Sequence, residues 1–178
     1  MLGLRKRTRQ FFRALFAKMT SVDLVFVRKH LNDTEQCLFF DMNETVQKHC
    51  VNVALTVLDL LDDAIVNDYA VVLKAALLHD IGKTRGNFNV LDQVSYVLVR
   101  KFSRQLARKL AKRGRGTWLD RVQNAFYVQV HHAELGANIA CKAGLGEDLI
   151  FLLRNHHSPD QANVSRELAI LIQADEAN

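Results

Sequence analysis

Over residues 46–61 the apolar side chains recur with a period close to 3.6, and nowhere does the chain alternate cleanly with a period of two. A helical repeat without a strand repeat predicts an all-α fold, because a half-buried strand needs the period of two that is missing. Punctuation is sparse, with one proline and eight glycines in 178 residues, which favours long helices over a hairpin-rich fold. Further helices are predicted over 69–78, capped by Asp68, over roughly 90–113, and over 118–130, 133–142, 147–155 and 164–176. The breaks fall where turn residues cluster. Asp59, Asp62 and Asp63 mark the end of the first helix, and Gly82 lets the chain turn out of the second; Gly86-Asn87-Phe88-Asn89 forms a loop, Gly114 and Gly116 end the basic helix, and Gly144 and Gly146 close the helix over 133–142.

The length is one domain's worth on a prior of about 100–200 residues, and 49% apolar with 24% charged residues excludes a disordered chain. Residues 1–40 read as a basic N-terminal helical extension and 41–178 as a single unit without repeat or linker. Cys37, Cys50 and Cys141 are odd in number and lack CxxC spacing, which fits neither a disulfide framework nor a zinc ribbon. A reducing cytoplasm is the expected home. The most apolar stretch, 51–61, is interrupted by Asn52, Thr56 and Asp59, so no membrane span is expected, and the dispersed arginines of the N-terminus do not resemble a secretory signal.

The net charge of +5 conceals two basic segments free of acids. Residues 1–20 carry Arg5, Lys6, Arg7, Arg9, Arg13 and Lys18 among Leu4, Phe11, Phe12, Leu15 and Phe16; residues 100–115 carry Arg100, Lys101, Arg104, Arg108, Lys109, Lys112, Arg113 and Arg115. What remains is acidic. Leu98, Phe102, Leu106 and Leu110 recur every four residues, so the second segment is expected to pack one face and show its cations on the other. Such faces are often merely solvated; the functional readings are a nucleic acid, an anionic membrane surface with the protein peripheral to it, or a phosphate-rich ligand drawn toward a site.

Six of the seven histidines lie at predicted helix ends or on buried helix faces. Singly, each has an ordinary explanation as a core or surface residue. Collected in one site, His49, His79, Asp80, one or both of the pairs His131-His132 and His156-His157 and the carboxylate of Asp175 would be untenable without a charge to coordinate, because uncompensated burial costs several kcal/mol per group. One or two divalent cations resolve that cost. Nitrogen and oxygen donors suit Mn, Fe, Co, Ni or Zn, and the number of donors argues against a closed tetrahedral zinc site.

The order of His49, then His79-Asp80 within Ala-Leu-Leu-His-Asp-Ile-Gly-Lys, then Asp175 within Ile-Gln-Ala-Asp resembles the HD-domain metal-dependent phosphohydrolases, specifically their HDIG subset. The likeness extends through His132-Ala-Glu-Leu-Gly136, similar to the subset's His-Pro-x-x-Gly with Ala133 in place of proline, and through Asn155-His156-His157. It covers about residues 44–178 and is specific as a composite. It implies an HD-domain helical bundle over 41–178 with a central metal site, in which His49, His79, Asp80 and Asp175 hold one ion and His132, His156 and His157 a second, with Asp80 bridging. The metals implied are Fe or Mn first, with Ni, Co, Zn or Mg compatible. Lys83 would reach a substrate phosphate, Arg104 and Arg108 would draw a phosphorylated small molecule or nucleotide to the site, and His131 would stand beside the site rather than in it.

The implied chemistry is hydrolysis of a phosphodiester or phosphomonoester of a nucleotide-like substrate by metal-activated hydroxide, with Asp80 and Lys83 as the catalytic side chains. Ser158-Pro159-Asp160 follows the paired histidines where cyclic-dinucleotide phosphodiesterases carry Gly-Tyr-Pro, which argues against cyclic di-GMP, and the membrane-embedded relatives acting on cyclic di-AMP have spans not found here. Two other readings remain: a regulatory or binding module with a structural metal site and basic arms, and a di-iron oxygenase on the same fold. Five imidazoles must be neutral to coordinate, so metal affinity is expected to fall below about pH 6.5. The oligomeric state stays open.

Overall fold

The computed structural model describes residues 18–61, 69–84, 99, 110–111, 118–161 and 163–178. Among them lie seven α-helices: α1 (Ser21–His30), α2 (Asp33–Phe40), α3 (Glu44–Leu60), α4 (Tyr69–Leu78), α5 (Trp118–Lys142), α6 (Glu147–Asn155) and α7 (Arg166–Ala177), with one 3-10 turn at Pro159–Gln161. No strand occurs among the described residues; an isolated antiparallel bridge joins Met42 to Thr84. The fold is all-α, as the periodicity predicts. No described helix is long and apolar enough to cross a membrane.

Helix α4 is apolar nearly all round, and a helix without a polar face can only be central. It packs against α1, α2, α3, α6 and α7. Its Val72, Leu73, Ala76 and Leu77 share one core with Val51, Ala54 and Val57 of α3, Leu149 and Leu153 of α6, and Leu168 and Leu171 of α7. Val27 of α1 and Phe39 of α2 enter the same core. The outer helices start where their sequences supply caps. Thr20 and Asp23 form a capping box at α1, as do Asn32 and Glu35 at α2, and Ser165 accepts from the Leu168 amide at α7. The two N3 carboxylates have a second partner: Asp23 accepts from Lys48 of α3 at 2.8 Å and Glu35 from Lys74 of α4 at 2.7 Å.

One expectation needs correction, and the role of Gly82 has a different physical cause. The helices predicted over 118–130 and 133–142 are one 25-residue helix, because His131-His132 contains no breaker. A mid-helix glycine at Gly136 costs only about 1 kcal/mol, too little to interrupt it. The chain does turn out of α4 at 79–82, as expected, without using the left-handed region at Gly82; among described glycines only Gly144 has a positive φ. Gly82 is required by close approach instead, since a Cβ there would stand 2.2 Å from the backbone oxygen of His132 on α5. Gly144, at φ 72°, closes α5, with the Leu145 amide donating to Ala140 O and the Gly144 amide to Cys141 O.

Most of the basic arm 1–20, most of the helix expected over 90–113, including Arg104 and Arg108, and Asp62, Asp63, Asp68, the Gly86–Asn89 loop, Gly114 and Gly116 lie outside the described residues. Val99, Leu110 and Ala111 are described, and they pack against Phe126 of α5.

Candidate metal centre

Five elements deliver side chains to one place. His49 comes from α3, His79 and Asp80 from the turn that ends α4, His132 from the middle of α5, His156 and His157 from the C-terminus of α6, and Asp175 from the last turn of α7. The turn after α4 is held by the Ile81 amide on Leu78 O and the Lys83 amide on Asp80 O. His131, adjacent to His132, instead faces solvent against the ring of Tyr127.

Three of the imidazoles are fixed by one local device. Nδ1 of His79, His132 and His156 lies 2.7–2.9 Å from the carbonyl oxygen three residues earlier, of Ala76, Gln129 and Leu153 respectively. A carbonyl can only accept, so each Nδ1 carries a proton, and in the neutral rings of His132 and His156 Nε2 presents a lone pair. Those lone pairs converge. His156 Nε2 lies 3.3 Å from His132 Nε2, and both atoms are acceptors, an arrangement that repels unless a cation stands between them. His157 Nε2 is 2.9 Å from the same His132 nitrogen. Ligands held at about 2.1 Å from one ion are separated by roughly 3.0–3.4 Å, so these spacings fit a shared ion.

The second group gathers around Asp175. Its Oδ1 is 3.0 Å from His49 Nε2 and 3.5 Å from His79 Nε2, while Oδ2 is 3.9 Å from His157 Nδ1. Asp80 stands between the two groups, with Oδ2 3.7 Å from His79 Nε2 and Oδ1 3.2 Å from His132 Nε2. Lys83 donates to Asp80 Oδ2 at 2.7 Å. His79 Nε2 and Asp80 Oδ1 are fully buried and have no aligned hydrogen-bond partner. Orphaned donor atoms of this kind, in a set of imidazoles and carboxylates, fit divalent cations. His132, His156 and His157 form one cluster able to hold an ion, and His49, His79 and Asp175 another.

Electrostatics separate the clusters. Burial, with Lys83 and the neighbouring rings, holds His132 well below the ordinary imidazole range; burial, with His79 and His157, holds His156 at about 3; His157 is lowered too, chiefly by burial. These rings stay neutral and ready to coordinate. Burial also acts to lower His79, yet the Cys50 sulfur and the carboxylates of Asp80 and Asp175 outweigh it and raise that ring well above its usual value. Burial would raise both carboxylates, but Lys83 and the imidazoles hold Asp80 low, and His49 and His79 hold Asp175 low. The half-exposed ring of His157 and the partly exposed His49 form the open side, with His79, Asp80, His132 and His156 at its floor.

One residue that the sequence reading leaves unassigned also reaches the site. Cys50 is fully buried and groups with His79 and Asp80, their candidate ligand atoms lying within 4.8 Å of one another. Its only sequence signal is adjacency to His49, and neighbouring residues on a helix point about 100° apart, which says nothing about a common target. A family model described as HD domain matches residues 46–177. No curated protein and no solved structure matches the chain.

Proposed function

The chain belongs to the HD-domain family, and from that premise we propose that it is a metal-dependent phosphohydrolase that holds two divalent cations and hydrolyses a phosphodiester or phosphomonoester of a nucleotide-like substrate. The observation that carries the dinuclear reading is the placement of Asp80, one oxygen toward His79 and the other toward His132. A carboxylate has two oxygens to share, whereas an imidazole fixed by its Nδ1–H has one lone pair. The order His49, His79-Asp80, Gly82-Lys83, His132, His156-His157, Asp175, which resembles the HDIG subset, supports the same reading.

His49, His79, Asp80 and Asp175 would hold one ion and His132, His156 and His157 the other. When bound, such ions acidify water and polarise a phosphoryl oxygen. The protein's own part is orientation. Backbone carbonyls lock the three rings, so their Nε2 atoms need no reorientation to coordinate, and His79 has only its Nε2 proton to give up. Lys83 aligns Asp80 through Oδ2, and its ammonium, on a buried side chain at the floor of the site, is the cation placed to donate to a phosphate oxygen. The exposed edge of His157 leaves the approach for that phosphate. Arg104 and Arg108 remain candidates for steering an anionic substrate.

The test is metal content of protein purified without oxygen or chelator, paired with hydrolysis of a bis-aryl phosphodiester. Close to two ions per chain in the wild type, falling toward one in His156→Ala, and activity lost in Asp80→Ala are expected. One ion or none in both proteins would overturn the dinuclear reading, and equal hydrolysis by wild type and Asp80→Ala would overturn the activity.

A further inference from the structure

We propose that Cys50 is an additional ligand of the His79–Asp80 side of the centre, and that its thiolate turns that position toward a thiophilic divalent ion such as zinc or cobalt(II). The inference rests on the metal-centre reading above. Three observations lead to it. Cys50 is fully buried on α3, one residue after His49, and its sulfur is grouped with donor atoms of His79 and Asp80 within 4.8 Å. His79 Nε2, whose ring is fixed through Nδ1 on Ala76 O, is buried and lacks an aligned partner. The other two thiols, Cys37 and Cys141, are exposed on the surface and belong to no such group among the described residues.

The chemistry is that of a soft donor added to a hard set. A thiolate is held at about 2.3 Å from zinc and nitrogen or oxygen donors at about 2.0–2.2 Å, so donors sharing one ion lie within about 4.5 Å of one another, a spread compatible with this group. Imidazole and carboxylate alone admit Mn or Mg, whereas thiolate favours zinc and its neighbours in the series. On binding, the sulfur–proton bond of Cys50 breaks, the proton leaves to solvent and the sulfur electron pair goes to the cation. Nothing is oxidised or reduced.

The experiment uses the full chain carrying Cys37→Ser and Cys141→Ser, two exposed positions, so that Cys50 is the only thiol. Cobalt(II) is added to the metal-free protein without oxygen while the near-ultraviolet sulfur-to-cobalt charge-transfer absorption and the binding heat are recorded. The expected result is a charge-transfer band that saturates with the first equivalent and is absent in a further Cys50→Ala variant. That variant is expected to lose cobalt(II) affinity by about 10–100-fold, with manganese(II) affinity little changed. Binding heat without the band would overturn the role of Cys50 and leave the metal centre standing; no heat and no band would overturn both. The band in the single-thiol protein is decisive by itself, so the test survives if Cys50→Ala fails to fold.

Discussion

His156 combines, in one side chain, burial and a fixed tautomer, and both bear on how the metal-free protein responds to acid. Its ring is 1% exposed, its Nδ1–H is committed to Leu153 O, and its pKa is held at about 3. In the unfolded chain the same ring titrates near 6.5. Between those values the unfolded state binds a proton that the native state refuses, so stability falls as pH drops through that window. His132 and His157 act in the same direction. His79 acts oppositely: raised above 6.5, it contributes stability that is complete below 6.5 and lost as pH rises through its folded value. The metal-free protein is therefore expected to be most stable near pH 6.5, measured as urea midpoints from pH 5 to 8 with chelator present. His156→Gln should flatten the acid limb by up to about 1.4 kcal/mol per pH unit, and a midpoint constant across the range would contradict the buried neutral imidazoles. The uniform loss of metal below about pH 6.5 expected from five free imidazoles becomes two behaviours: the cluster of His132, His156 and His157 is ready at lower pH, while uptake beside His79 must displace a proton. A pH-dependent proton release on adding metal at neutral pH, measured by weakly buffered titration, reports that step.

At the scale of elements, the site depends on how closely α5 can lie against the turn that ends α4. The Gly82 Cα faces the His132 carbonyl with no room for a methyl group, and a Cβ at Gly136 would stand 3.3 Å from the Gly82 amide nitrogen and from Ile81 Cγ1. Gly82→Ala must push backbone away from backbone and is expected to cost about 3 kcal/mol, at the upper end for overpacking, while Gly136→Ala needs a shift of tenths of an ångström and should cost about 1 kcal/mol or less. Urea melts of the two variants check the order; equal effects would mean that the crossing is not set by Gly82. Much of this level is legible in the sequence, for an identifiable reason. The period of 3.6 in α3, the apolar α4 and the Gly146-to-Asn155 stretch are local patterns, and the separation of His49, His79-Asp80 and Asp175 along the chain carries the metal set. What is not legible depends on contact between distant segments. The single continuous α5 and the true demand at Gly82 arise from packing one helix on another, Cys50 gains meaning only from where His79 lies, and the repeated Nδ1-to-carbonyl lock appears only once each ring adopts a rotamer.

Across the whole molecule, the cations and the N-terminal helices stabilise the fold by separate routes. Ligands drawn from α3, the α4 turn, α5, α6 and α7 would make metal binding a bond among most of the described elements, worth about 2.7 kcal/mol when free metal is 100 times its dissociation constant. Helices α1 and α2 are instead held by their core side chains and by the buried carboxylates of Asp23 and Glu35, each of which closes a capping box and accepts from a lysine on α3 or α4. Glu35→Ala removes both functions at once and is expected to lower stability by about 1–2 kcal/mol. Since Glu35 shares no partner with the metal centre, that loss should be the same with chelator and with saturating metal. Asp175→Asn should do the reverse. It weakens the carboxylate shared by His49 and His79, so the difference between chelated and metal-saturated protein should shrink while Glu35→Ala leaves it intact. Thermal or urea melts of the two single variants and the double variant, each with and without metal, close the cycle, with additivity expected to within about 0.5 kcal/mol. A larger coupling would mean that α1 and α2 unfold together with the metal-bearing helices as one unit, and that the capping carboxylates, although outside the site, help to set its affinity.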